Sequence, residues 1–278
     1  MPANSVNSMA EMTFLDHLEE FRRRIIISLV TIGLFMLLSL SFGKPIERIL
    51  RLPLDLSTNG LLASLIEWIV GQEVSFMGFL AITLRASASS INATLMKLSP
   101  LSGITTYLKV SMTFGALIAS PIVLYQIWAF IMPALTVREK RIALPLFFII
   151  LFFFLVGALF AFFVVVPAVF DFSARLYPSM VNNWDIEQYF NFILQILLGF
   201  GVAFELPIVM AFLTWIGAID TSGFREKRSF AMVGIFVLSA FLTPSDPGSM
   251  LLMALPLSAL YELGIFFAYL LEKPSTYA

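Results

Sequence analysis

The stretch REKRIALPLFFIILFFFLVGALFAFFVVVPAVF, residues 138–170, sets three basic side chains, Arg138, Lys140 and Arg141, before 29 residues without a charge, Ile142 to Phe170. A hydrocarbon core of about 30 Å takes roughly 20 apolar helical residues to cross. Lipid offers no partner to backbone N–H and C=O groups, so such a run is either helical or part of a closed barrel. Continuous rather than alternating apolarity selects the helix. The pattern recurs twice. Arg22 to Arg24 precede the 19 uncharged residues Ile25 to Gly43, and Arg225, Lys227 and Arg228 precede Ser229 to Ser245. The fold class that follows is all-α: a polytopic membrane protein.

Composition agrees. The 278 residues are 59% hydrophobic and 13% charged, include 29 Phe, and have a mean hydropathy of +0.93. A soluble domain of that length cannot bury so much apolar surface. The net charge of -1 carries no footprint for nucleic acid, and the absence of cysteine excludes disulfides and thiolate chemistry. Residues 1–14 are polar and mildly acidic and lack the basic, apolar and small-residue regions of a cleavable signal peptide, so Ile25–Gly43 is expected to serve as an uncleaved insertion signal.

Six spans are expected, at about 25–42, 109–133, 144–166, 189–216, 230–242 and 250–271, in a single integral membrane domain. The fifth is short, and the sixth is bent or divided by Pro256. With six spans the N-terminus, the 134–143 and 217–228 loops and the C-terminus share one side. That side holds ten Lys/Arg, and the opposite side holds six, with Lys109 at a boundary. The positive-inside rule makes the richer side, and both termini, cytoplasmic. Residues 61–84 are fairly apolar but are interrupted by Glu67, Gln72 and Glu73. The 44–106 segment therefore reads as a large extracytoplasmic loop with one or two amphipathic helices on the membrane surface.

Few side chains can carry chemistry. Glu205, in Phe200-Gly-Val-Ala-Phe-Glu-Leu-Pro207, lies within the fourth span, where a carboxylate must face the bundle interior or a wet cavity. It reads either as a polar contact for a translocated substrate or proton-linked switch, or as a hydrogen-bonded structural group near Pro207. Gln195, ten residues earlier and some 80° round the helix, is placed to line the same cavity. Glu262 in the sixth span has the same two readings. Glu20 precedes the first span and Glu139 lies in the next cytoplasmic loop. A pair of carboxylates held there suits a ligand with adjacent arginines, because a carboxylate matches the guanidinium fork and an ammonium does not. Spacing alone favours the plainer reading, solvated surface glutamates with Glu20 and Arg24 paired at i, i+4. His17 is the sole histidine, and no HExxH, Walker, Gly-x-Ser-x-Gly or paired mid-membrane Asp motif is present, so no metal, cofactor or enzymatic activity is expected.

Taken together, six segments resemble the TatC family, the polytopic subunit of the twin-arginine protein translocase. They are Phe14-Leu-Asp-His-Leu-Glu-Glu-Phe-Arg-Arg-Arg24, Ser120-Pro-Ile-Val-Leu-Tyr-Gln-Ile-Trp-Ala-Phe-Ile-Met-Pro133, Leu135-Thr-Val-Arg-Glu-Lys-Arg141, Phe200 to Pro207, Leu242-Thr-Pro-Ser-Asp246 and Pro256-Leu-Ser-Ala-Leu-Tyr-Glu262. The resemblance implies a six-span, cup-shaped receptor for twin-arginine signal peptides of folded cargo proteins, in the bacterial cytoplasmic (inner) membrane. It implies that Glu20 and Glu139 bind the signal peptide beside Arg22 and Arg141, overturning the plainer reading of the two glutamates. It matches Glu205 to the family's membrane-embedded glutamate and Asp246 to the acidic residue after the fifth span. It also implies single-span TatA- and TatB-type partners, self-association and the proton-motive force as energy source. Gly103, Tyr107 and Met250 depart from the family pattern, and the 44–98 segment is longer than usual. The alternative from another class is a proton-coupled small-solute transporter with Glu205 and Glu262 as proton carriers; the lack of an internal repeat counts against it.

Overall fold

The computed structural model describes residues 14–59, 94–96, 100–132, 137–176, 183–243 and 247–272. In chain order the helices are α1 (Phe14–Leu40), α2 (Gly43–Asn59), α3 (Ser102–Ile131), α4 (Val137–Phe160), α5 (Val166–Leu176), α6 (Ile186–Ala203), α7 (Leu206–Trp215), α8 (Thr221–Glu226), α9 (Arg228–Leu242) and α10 (Pro247–Leu271). Five stretches are helical, long and apolar enough to cross a membrane: His17–Leu40, Ser102–Ile131, Pro145–Ala174, Ile186–Trp215 and Pro247–Leu271. The shorter apolar helix α9 has 15 residues, about 22 Å of rise. This is a polytopic helical membrane protein.

Prolines explain where these rods change. A proline lacks N–H and leaves the carbonyl four residues back without its usual donor. For Pro121, inside α3, that carbonyl is Leu117 O, and the Ser120 hydroxyl donates to it at 2.7 Å, so the helix continues. Pro167 deprives Phe163, and the chain responds with a π-helical turn, Ala161–Val165, between α4 and α5. Pro207 would deprive Ala203, and α6 stops there. Phe204 and Glu205 form a turn, and α7 begins at Leu206 with Pro207 in its first turn. The stretch read from sequence as one fourth span is thus two helices with Glu205 at the joint. Pro256 has the milder outcome. It lies inside the unbroken 25-residue α10, so the sixth apolar helix is not divided.

The amphipathic helix α2 lies on one end of the bundle, with Ile46, Leu50 and Pro53 turned inward and Lys44 and Arg48 exposed. The Tyr189 hydroxyl donates to Leu50 O at 3.0 Å, binding α2 to α6. A second amphipathic helix expected within 60–93 falls outside the described residues. Thr94–Met96 (β1) and Asn183–Asp185 (β2) form a short parallel ladder at the same end, with Leu95 opposite Trp184. Three-residue strands carry no period that a sequence reading could detect. Beside them α3 begins at Ser102, seven residues before the expected start of that span. Lys109 and Thr105 both donate to the Glu187 carboxylate on α6, at 2.6 and 3.0 Å, joining these two helices where they leave the apolar layer.

Within lipid there is no hydrophobic drive between helices, so close approach at small residues carries the packing. A Cβ built on Gly115 of α3 would stand 2.5 Å from the Met36 backbone nitrogen of α1. On Gly157 of α4 it would stand 2.6 Å from Phe200 O of α6. Neither obstacle is a side chain that can swing aside. By contrast, a Cβ on Gly33 meets nothing within 4 Å. Gly115→Leu is therefore expected to separate α1 from α3 and to destabilise the protein by about 1–3 kcal/mol or more, read as a lower melting temperature in detergent. Gly33→Ala should stay within about 0.5 kcal/mol of the wild type.

Candidate functional site

Helical spacing sets His17, Glu20, Phe21 and Arg24 of α1 on one face, at i, i+3, i+4 and i+7. That face meets the last turns of α3. His17 stacks on Phe130 with ring centroids 4.4 Å apart and 21° between planes, and Phe21 lies 5.3 Å from the same ring. Arg24 donates twice to one oxygen of Glu20, from Nε at 2.9 Å and Nη2 at 2.5 Å, and its Nη1 donates to Gln126 Oε1 at 3.2 Å. The second Glu20 oxygen is shielded and has no hydrogen-bond partner among the described residues. Arg22, on the next face, is exposed and makes no ion pair among the described residues. The result is a partly buried carboxylate with one oxygen held and the other shielded but unpaired among the described residues, beside an aromatic platform.

Trp128 anchors this end. It is buried against Ile131, Met132, Leu146, Phe147, Ile150 and Phe212, and its ring meets Phe212 at 5.6 Å, edge to face. The cluster ties the end of α3 to the first turns of α4 and to α7. Glu139 is the third residue of α4 and Arg141 the fifth, so both occupy its opening turns, but their side chains lie outside the described residues, as does the whole of Asp246.

Glu205 sits at the α6–α7 joint, beside the main chain of Phe154 in α4. Neither carboxylate oxygen has a hydrogen-bond partner among the described residues. Gln195 does not join it. Its amide donates to Phe241 O, the penultimate residue of α9, at 2.5 Å, so the two polar groups serve different neighbours. Glu262 has a partner of its own: Arg228, at the start of α9, stands 2.5 Å from its carboxylate, and the Tyr261 hydroxyl donates to Phe224 O at 2.8 Å. Glu262 thus fastens α10 to the loop side of α9. Among the glutamates singled out, Glu20, Glu205 and Glu262 each keep at least one shielded carboxylate oxygen without a hydrogen bond among the described residues, and only Glu205 has neither oxygen so bonded and no ion pair.

Arg24, Gln126 and Phe130 are the members of this site that the sequence reading did not single out. The Glu20–Arg24 spacing was legible, but Gln126 and Phe130 come from a helix 102 residues further on, and no period links them to α1. Two half-exposed partners one helical turn apart contribute little to stability. A double-mutant cycle on Glu20→Ala and Arg24→Ala, read by thermal unfolding in detergent, should give a coupling of only about 0.3–1 kcal/mol.

Residues 16–256 match the family described as Sec-independent protein translocase protein (TatC). The Sec-independent protein translocase protein TatC of Azotobacter chroococcum mcd 1 is 42% identical over 160 residues, which is 57% of this chain and 63% of that relative. The protein of the same name from Escherichia coli (strain K12) is 38% identical over 164 residues, 59% of this chain and 64% of the relative. These alignments span less than two thirds of the relatives' length. That of Desulforapulum autotrophicum is 31% identical over 261 residues, 94% of this chain and 85% of the relative. The fold also matches the crystal structure of a twin-arginine translocase receptor, TatC, with a TM-score of 0.72 and 31% identity over 92% of this chain and 99% of that one.

Proposed function

The chain belongs to the TatC family of Sec-independent protein translocase proteins, and from that membership we propose that it is the signal-peptide receptor and core subunit of a twin-arginine translocase. In this role it binds the paired arginines of a signal peptide attached to a folded cargo protein. It works with single-span TatA- and TatB-type proteins and with further copies of itself, and it draws on the proton-motive force. It resides in the bacterial cytoplasmic membrane with six crossings and both termini in the cytoplasm, the side that the basic clusters favour. Family membership leaves no support for the small-solute transporter. A translocase component of this kind is a binding and assembly protein rather than an enzyme.

The observation that carries the reading is the Glu20 carboxylate. Its shielded, unpartnered oxygen faces no protein donor among the described residues, although an unsatisfied carboxylate oxygen is disfavoured. A guanidinium arriving from outside supplies the missing donors in a planar fork. Glu139, in the first turn of α4, supplies the second carboxylate, and Arg22 and Arg141 border the two. Lysine cannot reproduce the paired geometry, which gives selectivity for arginine. The apolar part of the signal peptide then lies along the bundle, and Glu205, at the α6–α7 joint, responds to it from within. Asp246, after α9, is assigned a supporting role on the opposite side.

Each arginine–carboxylate contact is expected to contribute about 1–3 kcal/mol, the upper end requiring partial desolvation. Crosslinking of a twin-arginine signal peptide to the purified protein should therefore fall by about 5- to 150-fold for each of Glu20→Ala and Glu139→Ala, with melting temperature unchanged. A twin-lysine peptide should crosslink weakly even to the wild type. Undiminished crosslinking by the Glu20→Ala/Glu139→Ala double variant sinks the proposal. Glu205→Gln keeps the shape of the joint but removes the ionisable group. It is expected to retain wild-type signal-peptide crosslinking while lowering export of a folded reporter, and equal export by the two proteins would remove Glu205 from the mechanism.

A further inference from the structure

At the end of the bundle away from Glu20, α2 carries three basic residues, Lys44, Arg48 and Arg51, at i, i+4 and i+7, which share one face. Arg51 is paired with Glu47 at 2.6 Å. Lys44 and Arg48 are exposed and have no ion-pair partner among the described residues. The next acidic residue, Asp55, is seven positions beyond Arg48. The chain turns through Ser41 and Phe42 immediately after α1, so this basic face stands where the first apolar helix ends, at the level of lipid headgroups.

Beneath the same helix is an apolar cavity of about 300 Å³, lined by Ile49 and Leu52 of α2, Phe114 of α3, and Leu155, Leu159 and Phe163 of α4 and the π-helical turn. Those six side chains come from three separate segments, and Ile49, Leu52, Leu155, Leu159 and Phe163 are each 39–55% exposed, so the cavity opens outward rather than into the core. Arg48 shares a helix face with the cavity-lining Leu52, one turn on, and Lys44 lies one turn before Arg48, so the basic face adjoins the α2 side of the cavity. A helix is about 10–12 Å across, so 300 Å³ accommodates less than one turn of one. The volume suits a hydrocarbon chain.

We propose that the α2 face and the cavity beneath it form a binding site for one anionic phospholipid, its phosphate at Lys44 and Arg48 and an acyl chain between α2, α3 and α4. The occupant is a lipid rather than a free phosphate, because the basic rim and the apolar cavity are adjacent and only a molecule with both parts uses both. It is anionic rather than zwitterionic because the rim offers two unpaired cations among the described residues. The lipid would fill the gap under α2 and hold that helix to α4. None of this depends on signal-peptide recognition.

The test is native mass spectrometry of the full chain in detergent, with phosphatidylglycerol or phosphatidylcholine of identical acyl chains added. The wild type should retain phosphatidylglycerol about tenfold or more in preference to phosphatidylcholine, at roughly 1 kcal/mol for each basic residue near the headgroup. Lys44→Gln/Arg48→Gln should abolish the preference while weak retention of both lipids persists. Leu159→Trp, or Leu155→Trp should the first fail to fold, should lower retention of both lipids. Ile149→Trp, in a separate apolar groove between α4, α7 and α10, should change neither. Thermal unfolding of each variant separates lost binding from lost fold. The proposal is overturned if Lys44→Gln/Arg48→Gln keeps the wild-type preference. It is equally overturned if glycerol phosphate without acyl chains competes as well as the lipid, or if folded cavity-filling variants retain both lipids as the wild type does.

Discussion

Every backbone carbonyl and amide inside the apolar layer has to find its partner within the protein, and much of this structure follows from how that demand is met at prolines. Pro53 and Pro145 also lie inside helices, and four further prolines show how differently the missing N–H is met. Next to Pro121 a serine hydroxyl takes over as donor, and α3 continues as one 30-residue rod. Before Pro167 the helix widens into a π turn. At Pro207 it stops and restarts, and at Pro256 it runs on undivided. The Pro207 break has the largest consequence for a polar side chain. It converts a mid-helix glutamate into a residue at a joint, where the backbone is not committed to one helix and the carboxylate has no hydrogen-bond partner among the described residues.

The two ends of the bundle are built from different chemistry. At the end with α2, Lys44 and Arg48 stay unpaired among the described residues, but other groups join helices: Lys109 and Thr105 on Glu187, Tyr189 on Leu50, and the ring of Phe170 against those of Trp184 and Tyr189. Such contacts make a stiff cap. At the Glu20 end one carboxylate is only partly paired. Arg24 holds one oxygen of Glu20 while the other is shielded and unpaired among the described residues, and Gln126 restrains Arg24 from the neighbouring helix. The stiffness comes from the apolar cluster round Trp128, which sets α3, α4 and α7 in fixed relation behind the polar layer.

Helix α9 is short for a full hydrocarbon core, and the residues that fasten it are polar. Gln195 caps its final carbonyls, and Arg228 reaches Glu262 from its first turn. Both residues were first read as possible parts of a transport pathway. The Gln195 hydrogen bond and the Glu262 ion pair make them fasteners for this helix as well. A short helix in a bundle is accommodated by local thinning of the bilayer.

Charge-free length and the placement of arginine and lysine were sufficient, from sequence, for a polytopic helical membrane protein, because the requirement to satisfy backbone groups in lipid leaves a chain such as Ile142–Phe170 no other structure. One or two amphipathic helices were expected within 44–106, but their bounds were not legible, and the structure places one at 43–59. Glu20 and Glu139 were singled out by resemblance, as their spacing fits ordinary solvated glutamates as well, whereas Glu205 stood out physically as a carboxylate within a span. What only the tertiary structure decided was partnership. Arg24, Gln126 and Phe130 assemble round Glu20, Gln195 turns to α9, Glu262 turns to Arg228, and Glu205 alone stands at a break in the helix. A side chain's partners depend on which helices pack together. In lipid that is settled by close contacts at single small residues such as Gly115 and Gly157, which leave no periodic mark on the chain.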